Sequence, residues 1–409
     1  MVEEAFINFI QSFSKFENKE TIVKKLSVKD LSVNKYINEF WTSKQRQGSS
    51  IHEVSYRACF KPQLPNFFIN KLTQKGDTVY DPFSGRGTTV IEAARLGRNL
   101  ISNDINPLSE ILTKPRLIVP KLNDVRKRLL QIPKDTVTES NMDLSMFYHK
   151  QTLSELLSLR EYFKNKLENG TFDHVDSWIR MVATSRLTGH SSGFFSVYTL
   201  PPNQAVSQAS QIKINKKMNQ KPPYRDIHKI ILNKSKSLTR NLSPSEKENL
   251  SAAAENALFL SNDVSQTKEI NEDSVQLLVT SPPFLDVVQY SKDNWLRCWF
   301  NLIDDKEISK KITTSKTVES WSKFMQNAFD EFYRIIKPNG WVAFEVGEVR
   351  NGSVRLDEVI APIGVNSGFE CKGVLINSQD FTKTSHIWGI GNNKKGTNTN
   401  RIVLLKKPQ

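Results

Sequence analysis

Residues 78–104 read TVYDPFSGRGTTVIEAARLGRNLISND and hold two short apolar runs separated by a glycine-rich turn and a helix-like segment. TVYD, residues 78–81, has the composition of a buried strand, and the following SGRG supplies turn residues. TTVIEAARL has helical periodicity, and Gly97 follows it, where glycine commonly ends a helix. NLISND, residues 99–104, predicts the next strand. This βαβ unit predicts an α/β fold with a doubly wound, mostly parallel sheet.

The alternation of strand and helix is interrupted in mid-chain and then resumes. Residues 111–255 show helical periodicity and loop-like stretches, and strand-like runs such as SVQLLVT and WVAFEV follow them. The pattern predicts an N-terminal helical extension at 1–50, the first part of the α/β domain at 51–115, an inserted region at 116–255 and the second part of the α/β domain at 256–409. The insertion exceeds an ordinary connection and predicts a functional lobe.

The charge of the chain favours a polyanionic partner. Lys and Arg number 57 against 43 Asp and Glu, a formal net charge of +14. Residues 201–240 concentrate this excess, with nine Lys or Arg and one Asp. A solvated helix face is the alternative explanation of such a run. Because the run lies within the insertion, we expect Lys213, Lys216, Lys217 and Arg225 to contact nucleic-acid phosphates.

The cysteines, the histidines and the length of the apolar runs bear on disulfides, metal binding and the cellular compartment. Cys59, Cys298 and Cys371 lack the spacing of a disulfide framework or a metal site, and the six histidines form no H-x-x-x-H pair. No apolar run is long enough to span a bilayer, and the acidic start MVEEAF predicts a helix rather than a signal peptide. The sequence therefore predicts a cytoplasmic protein without a metal site or membrane association.

The stretch DPFSGRGTT, residues 81–89, joins a strand-ending acid to two glycines and the start of a helix. Such a loop at the carboxyl edge of a parallel sheet predicts a cradle for a nucleotide-like ligand. It is neither a P-loop nor a complete G-x-G-x-x-G. Asp104 ends the next strand, where an acid can accept hydrogen bonds from ribose hydroxyls. A turn-forming glycine pair with a helix-capping acid is the alternative, but the second acid favours a nucleoside-type ligand.

The stretch SPPF, residues 281–284, ends an apolar strand at the same edge of the sheet. Pro282 and Pro283 have fixed φ and no N–H, so they stiffen the loop and leave its carbonyls free of the ladder. Ser281 offers a hydroxyl, and Phe284 offers a flat ring for stacking. These groups predict a receptor for the exocyclic amine of a planar base; a plain strand-ending turn is the alternative.

The pair DPFSGRGTT and TSPPF resembles the S-adenosylmethionine-dependent amino-methylating DNA methyltransferases. The first matches their cofactor motif D-P-F-x-G-x-G-T-T, and the second matches their catalytic motif [DNS]-P-P-[YFW]. Residues 52–68, 289–300 and 396–407 also resemble segments of this family, so the resemblance covers about 51–110 and 256–409. It implies a Rossmann-like methyltransferase sheet with helices on both faces and an inserted, basic target-recognition lobe.

The resemblance implies S-adenosyl-L-methionine as cofactor and double-stranded DNA as substrate. The residues that it assigns to the cofactor are Asp81, Pro82, Phe83, Gly85, Gly87, Thr88, Asp104 and Asp263. The residues that it assigns to catalysis are Ser281, Pro282, Pro283 and Phe284. Asp263 has an equal alternative as a capping residue before a turn. Arg86 departs from the family motif, in which a small residue is more usual.

Serine in the first position of the catalytic motif is typical of family members that methylate cytosine at N4, whereas Asp or Asn is typical of adenine-N6 enzymes. The resemblance therefore implies a site-specific cytosine-N4 methyltransferase of a restriction–modification system, with a cognate endonuclease as a further partner. No cysteine follows a proline, as cytosine-C5 chemistry would require. An adenine-N6 or RNA amine methyltransferase and a non-catalytic nucleic-acid-binding relic remain the alternatives.

Overall fold

The computed structural model describes residues 2–14, 20–28, 30–41, 48–57, 59–137, 139–140, 142–201, 204–283, 290–311, 317–349, 353–378 and 399–409. Its strands are β1 (Ile22–Val28), β2 (Leu31–Asn38), β3 (Thr78–Asp81), β4 (Asn99–Asn103), β5 (Leu258–Leu260), β6 (Val275–Thr280), β7 (Ile336–Val346), β8 (Glu348–Val349), β9 (Val354–Arg355), β10 (Glu370–Ser378) and β11 (Thr399–Lys406).

The α-helices surround these strands. They are α1 (Val2–Gln11), α2 (Gln63–Leu72), α3 (Thr88–Arg95), α4 (Leu108–Thr113), α5 (Leu122–Gln131), α6 (Lys150–Glu168), α7 (His174–Thr184), α8 (Gln208–Lys217), α9 (Ile227–Leu238), α10 (Pro244–Glu255), α11 (Tyr290–Phe300), α12 (Asp305–Lys311), α13 (Val318–Ile335) and α14 (Leu356–Asn366). Within the part of the chain that the structure describes, none of them combines the length and apolar character of a membrane span.

One sheet organises the fold, with the strand order β1-β2-β10-β11-β7-β6-β3-β4-β5. The neighbours β3–β4, β4–β5, β3–β6 and β6–β7 are parallel, whereas β11 runs antiparallel to both β7 and β10. The carboxyl ends of β3, β4, β5 and β6 therefore meet at one edge. The predicted α/β class with a mostly parallel sheet is confirmed.

The central strands are buried on both faces because helices cover each side of the sheet. Tyr80 and Leu278 belong to an apolar core shared with α13 and α14. Their chain neighbours Val79 and Leu277 belong to a second core shared with α1 and α2. Successive strand residues point to opposite faces, so a strand covered on both sides needs a continuous apolar run. This requirement explains the sequence VQLLVT in β6.

Residues 1–50 differ from the predicted helical extension, because only α1 is helical in their described part. β1 and β2 form an antiparallel hairpin, and β2 pairs in parallel with β10, so the hairpin extends the sheet. The helical prediction was wrong here. Leu26 and Val33 are buried in one core and Tyr36 in another, whereas the first four residues of β1 are exposed. Burial therefore does not alternate regularly along either strand. Without a regular strand period in the sequence, the frequent charged residues favoured the helical prediction.

The predicted insertion is not a loosely attached lobe. Helices α5 to α10 lie between α4 and β5, and apolar side chains of all of these helices except α8 build a core that also contains residues of α3 and α11. Trp178 of α7 is fully buried in this core, together with Val90 of α3 and Leu296 of α11. We call residues 84–87 the glycine loop and residues 281–284, for which the family resemblance implies catalysis, the catalytic segment. The helices that follow them, α3 and α11, are thus packed against the insertion. The boundaries at 116 and 255 stay predictions.

Gly87 provides a test of the packing at the start of α3. Its φ is +72°, and a Cβ there would overlap the Thr113 side chain. We expect Gly87→Ala to lower the free energy of unfolding by about 2–5 kcal/mol, because left-handed strain adds to overpacking. Gly76→Ala is the matched control: its φ is +85° but nothing lies within 4 Å of its Cβ, so only the strain of about 1–2 kcal/mol remains. Urea denaturation measures both variants. Equal losses of unfolding free energy in Gly87→Ala and Gly76→Ala would contradict the close approach of Gly87 to Thr113.

Candidate functional site

A cavity of about 970 Å³, including its open mouth, lies at the carboxyl edge of the parallel strands. The predicted cofactor residues in its wall are Asp81, Pro82, Phe83, Gly85, Thr88, Asp104 and Asp263, and the predicted catalytic residues in its wall are Ser281 and Pro283. Gly87 and Pro282 do not line the cavity, and Pro282 is buried. Phe284 lies outside the described residues. The structure thus brings two distant sequence motifs to one cavity.

The glycine loop is held by the carboxylate of Asp104. One oxygen of Asp104 accepts the backbone N–H of Gly85 at 2.8 Å, and the other accepts that of Asn106 at 2.9 Å. Burial raises the pKa of Asp104 to about 6, although both hydrogen bonds lower it. Gly87 serves the loop by its close approach to Thr113 rather than by facing the cavity. The end of β4 therefore fixes the loop that follows β3.

Asp81 links the glycine loop to the catalytic strand. Its side chain is only 1% exposed, and it accepts hydrogen bonds from the Thr280 hydroxyl at 2.6 Å and the Phe83 backbone N–H at 3.2 Å. A second link runs from the Thr89 hydroxyl to the Val279 carbonyl at 3.1 Å. Burial raises the pKa of Asp81 to about 7. These bonds fix the position of Ser281 relative to the glycine loop.

Two residues that sequence reasoning missed hold the catalytic segment. Near the end of β7, Glu345 accepts a hydrogen bond from the Ser281 hydroxyl, and the Asn400 amide donates to it at 2.6 Å. Burial raises the pKa of Glu345. Trp321 of α13 donates its indole N–H to the Pro283 carbonyl at 3.0 Å. The signal for Glu345 was present in WVAFEV, where an acid interrupts an apolar strand at the ligand-binding edge.

Two arginines support the back of the glycine loop. Arg86 donates to the Val54 carbonyl at 3.0 Å and is not among the residues that line the cavity. Arg116 is fully buried and donates to the carbonyls of Leu112 at 2.9 Å, Ile51 at 3.3 Å and Arg86. Burial lowers the pKa of Arg116 to about 9. Both side chains therefore join the loop to the segment that precedes it along the chain.

The segment at residues 51–57, which precedes the glycine loop along the chain, forms a side wall of the cavity and packs on α11. Tyr56 lines the cavity, and the Arg297 guanidinium lies 5.5 Å from the centre of its ring. Arg57 forms a salt bridge of 2.7 Å with Asp293. Arg297 also donates to the Asn294 side chain at 2.8 Å. Helix α11, which follows the catalytic segment, is thus fastened to this wall of the cavity.

The predicted DNA-contacting residues lie on two elements. Lys213, Lys216 and Lys217 are exposed on α8. The chain that leads into α8 contacts α11, because the Trp295 indole donates to the Val206 carbonyl at 3.2 Å. Arg225 lies further along the chain beside α6, where its backbone N–H donates to the Thr152 hydroxyl at 2.8 Å, and it is half-buried. The three lysines form one surface, and Arg225 occupies a different setting.

Comparison with known proteins gives a family match at the N-terminal part of the chain. Residues 7–112 match the model of the DNA methylase family. The matched stretch contains the whole glycine loop and Asp104. This match and the relatives below support the amino-methyltransferase family that the motifs resemble.

Two Type II methyltransferases are similar in sequence. M.BsoBI of Geobacillus stearothermophilus is 24% identical over 332 residues, which cover 72% of this chain and 63% of that protein. M.MvaI of Kocuria varians is 27% identical over 164 residues, which cover 39% and 32%. The chain spans less than two thirds of the length of these curated relatives. A solved structure of a TehB-like SAM-dependent methyltransferase from Corynebacterium glutamicum is 8% identical, covers 84% of this chain and 87% of its own, and has a TM-score of 0.30.

Asp81 predicts a specific pH dependence of stability. Because the folded state holds this proton more tightly than the unfolded chain, the free energy of unfolding should fall as pH rises from about 4 to about 7. The loss of unfolding free energy between pH 4 and pH 7 should be about 2–4 kcal/mol smaller in Asp81→Asn than in the wild-type protein, since the amide does not titrate. Urea denaturation across this range tests it, with the exposed Asp30→Asn as control. A variant with the wild-type pH dependence would contradict the assignment.

Proposed function

We propose that the chain is a methyltransferase that transfers a methyl group from S-adenosyl-L-methionine to N4 of cytosine in DNA. The observation that carries the proposal is the single cavity whose wall contains both the glycine-loop residue Gly85 and the catalytic-segment residue Ser281. A methyl donor and an exocyclic amine must meet within bonding distance for transfer, so their receptors have to share one space.

The wall of the cavity fits an adenosyl cofactor. Asp104 would accept hydrogen bonds from the ribose hydroxyls, and Asp263 would face the adenine amine. Phe83 and Phe324, whose ring centres are 6.4 Å apart, supply apolar surface. Among the described residues, the buried Asn106 side-chain nitrogen has no hydrogen-bond partner and offers the ligand a donor. When bound, S-adenosylmethionine supplies an electrophilic methyl group on a sulfonium sulfur.

The contacts around Ser281 support a role as hydrogen-bond acceptor. Since its own proton is donated to Glu345, its oxygen lone pairs remain for the N–H of a target amine. The Pro283 carbonyl already accepts the Trp321 indole. The family resemblance implies the Pro282 carbonyl as the second acceptor, which requires this carbonyl to turn toward the amine, because Pro282 does not line the cavity. Two fixed acceptors on one amine localise the nitrogen lone pair and stabilise the positive charge that develops there.

Glu345 supports the release of a proton from N4. Once N4 has gained a further substituent, it carries a positive charge and must lose a proton. Glu345 lies one hydrogen bond beyond Ser281, and burial raises the pKa of its carboxyl. Its carboxylate is therefore a stronger base than an exposed glutamate and can take the proton through the Ser281 hydroxyl.

The substrate side of the proposal draws on charge and on the relatives. The exposed lysines of α8 and the net charge of +14 favour the phosphate backbone of double-stranded DNA. Ser281 in the first motif position favours cytosine N4 over adenine N6. The Type II methyltransferase names of the relatives favour a restriction–modification setting with a cognate endonuclease as partner.

Product analysis tests the proposed reaction directly. We expect duplex DNA incubated with the protein and methyl-labelled cofactor to yield N4-methyldeoxycytidine after digestion to nucleosides. N6-methyldeoxyadenosine or label in RNA would overturn the cytosine assignment in favour of the corresponding amine methyltransferase. No product, together with no cofactor binding in a calorimetric titration, would identify a non-catalytic relic.

Cofactor affinity should depend on Asp104. We expect Asp104→Asn to weaken cofactor binding about 10- to 100-fold, because a charge-assisted hydrogen bond contributes about 1.5–3 kcal/mol. Wild-type affinity should fall as pH drops through about 6, where this carboxylate takes a proton, and the variant should lack this fall. Isothermal titration from pH 5 to 8 measures both, with Asp77→Asn just before β3 as control. Unchanged affinity in Asp104→Asn would count against the assignment.

Turnover should depend on Ser281 and Glu345. We expect Ser281→Ala to lower kcat about 100-fold or more while DNA and cofactor affinities change little, because its hydroxyl acts on the amine. Glu345→Gln keeps the shape but not the base, so kcat should fall and lose part of its pH dependence. Single-turnover methylation measures these rates. Ser274→Ala, directly before β6, is the matched control, and wild-type rates in Ser281→Ala would refute the role.

A further inference from the structure

Three cations that do not line the cavity lie near the Glu53 carboxylate, whose negative charge favours the charged form of each. Arg186 follows α7, Lys234 belongs to α9, and Arg240 follows α9; we call these three residues the Arg186 cluster. Glu53 forms two contacts with Arg240, one of them 2.8 Å long, and a longer salt bridge of 3.6 Å with Lys234. The reasoning from sequence did not single out any of the three cations.

The guanidinium of Arg186 is held in place without an ionic partner. It lies 4.0 Å from the centre of the Phe194 ring, and its Nε donates to the Ser185 carbonyl at 2.9 Å. The Phe194 ring packs directly on Gly189, since a Cβ at Gly189 would overlap the carbons of the ring. Across the described residues, Arg186 forms no salt bridge. A stacked and anchored guanidinium loses little conformational entropy on binding, which makes it a preorganised anion receptor.

The cluster carries positive charge that Glu53 does not neutralise. Among the residues that the structure describes, Glu53 forms salt bridges with two of the three cations, and Arg186 forms none. Lys234 is only 12% exposed, and burial lowers its pKa to about 8, with the charge of Arg186 as the next cause. Burial likewise lowers the pKa of Arg186 to about 10. Both groups are still charged at neutral pH, so a bound anion would relieve their repulsion.

The cluster is connected to the cavity wall through residues 53–56. Glu53, which binds two of its members, lies three residues before Tyr56, and Tyr56 is part of the cavity wall. The carbonyl of Val54, between them, accepts the hydrogen bond from Arg86 of the glycine loop. One short segment therefore joins the cation cluster to the proposed transfer site.

We propose that the Arg186 cluster binds a phosphodiester group of the DNA strand whose base enters the cavity. The inference rests on the proposed function and deepens it by naming a contact with the substrate backbone. The planar fork of Arg186 matches two oxygens of one phosphate, and Lys234 adds a second charge. The lysines of α8 are exposed on one helix and are suited to unspecific attraction. A fixed cluster beside the cavity instead sets the register of the strand.

Salt dependence of DNA binding tests the cluster. We expect Arg186→Gln and Lys234→Gln each to weaken duplex binding about tenfold and to reduce the slope of log affinity against log salt by about one. Lys24→Gln, an exposed cation of β1 at the other end of the sheet, should keep the wild-type slope. Melting temperature and cofactor affinity verify folding, and if Arg186→Gln does not fold, Lys234→Gln carries the test.

Neutral phosphates identify the contact. Methylphosphonates replace the DNA phosphates one position at a time. We expect one position near the target base at which this neutralisation weakens DNA binding by the wild-type protein. The same substitution should not weaken DNA binding by Arg186→Gln any further. Arg186→Lys, which keeps the charge and loses the fork, should recover part of the affinity. The proposal would be overturned if both Gln variants kept the wild-type salt dependence of DNA binding. It would also be overturned if Arg186→Gln and the methylphosphonate weakened binding additively at every phosphate position. If the wild-type protein binds the cofactor but no DNA, the proposed function falls with it.

Discussion

The hydrogen bond between the Thr280 hydroxyl and the Asp81 carboxylate is the contact on which the site depends. It joins the last residue of the catalytic strand to the last residue of the strand that carries the glycine loop. Parallel strands bring both carboxyl ends to one edge, but the register of two adjacent strands alone does not fix the loops beyond them. The cost of this fixation is a buried acid, whose raised pKa reflects the energy of holding it there.

In the proposed reaction, the orientation of protons prepares the segment at Ser281 for its target amine. A serine hydroxyl can donate or accept, and a neighbouring carboxylate decides which by taking the proton. Glu345 does this for Ser281, and Trp321 likewise engages one of the two proline carbonyls. The segment therefore presents acceptors in a defined direction before any amine arrives. Such preorganisation lowers the reorganisation required at the moment of reaction.

The helices between the two halves of the α/β domain are structurally continuous with it. Their core includes residues of the helices that follow the glycine loop and the catalytic segment. Arg116 and the Arg86 guanidinium extend the connection to the cavity wall near Tyr56. A change in this helical region would therefore be transmitted to the cavity through packed side chains rather than through a flexible linker. Tyr56, which lines the cavity, belongs to the same apolar core as these helices.

Local sequence patterns were enough to predict the βαβ unit and the strand before Ser281, because apolar runs, turn glycines and paired prolines act over a few residues. Sequence reasoning failed for the β1–β2 hairpin, because burial does not alternate along these strands and their place in the sheet depends on the pairing of β2 with β10. The partners Glu345 and Trp321, and the stacking of Arg186 on Phe194, were decided by tertiary structure alone. Each depends on side chains brought together by packing of separate helices and strands, and no local pattern encodes that proximity.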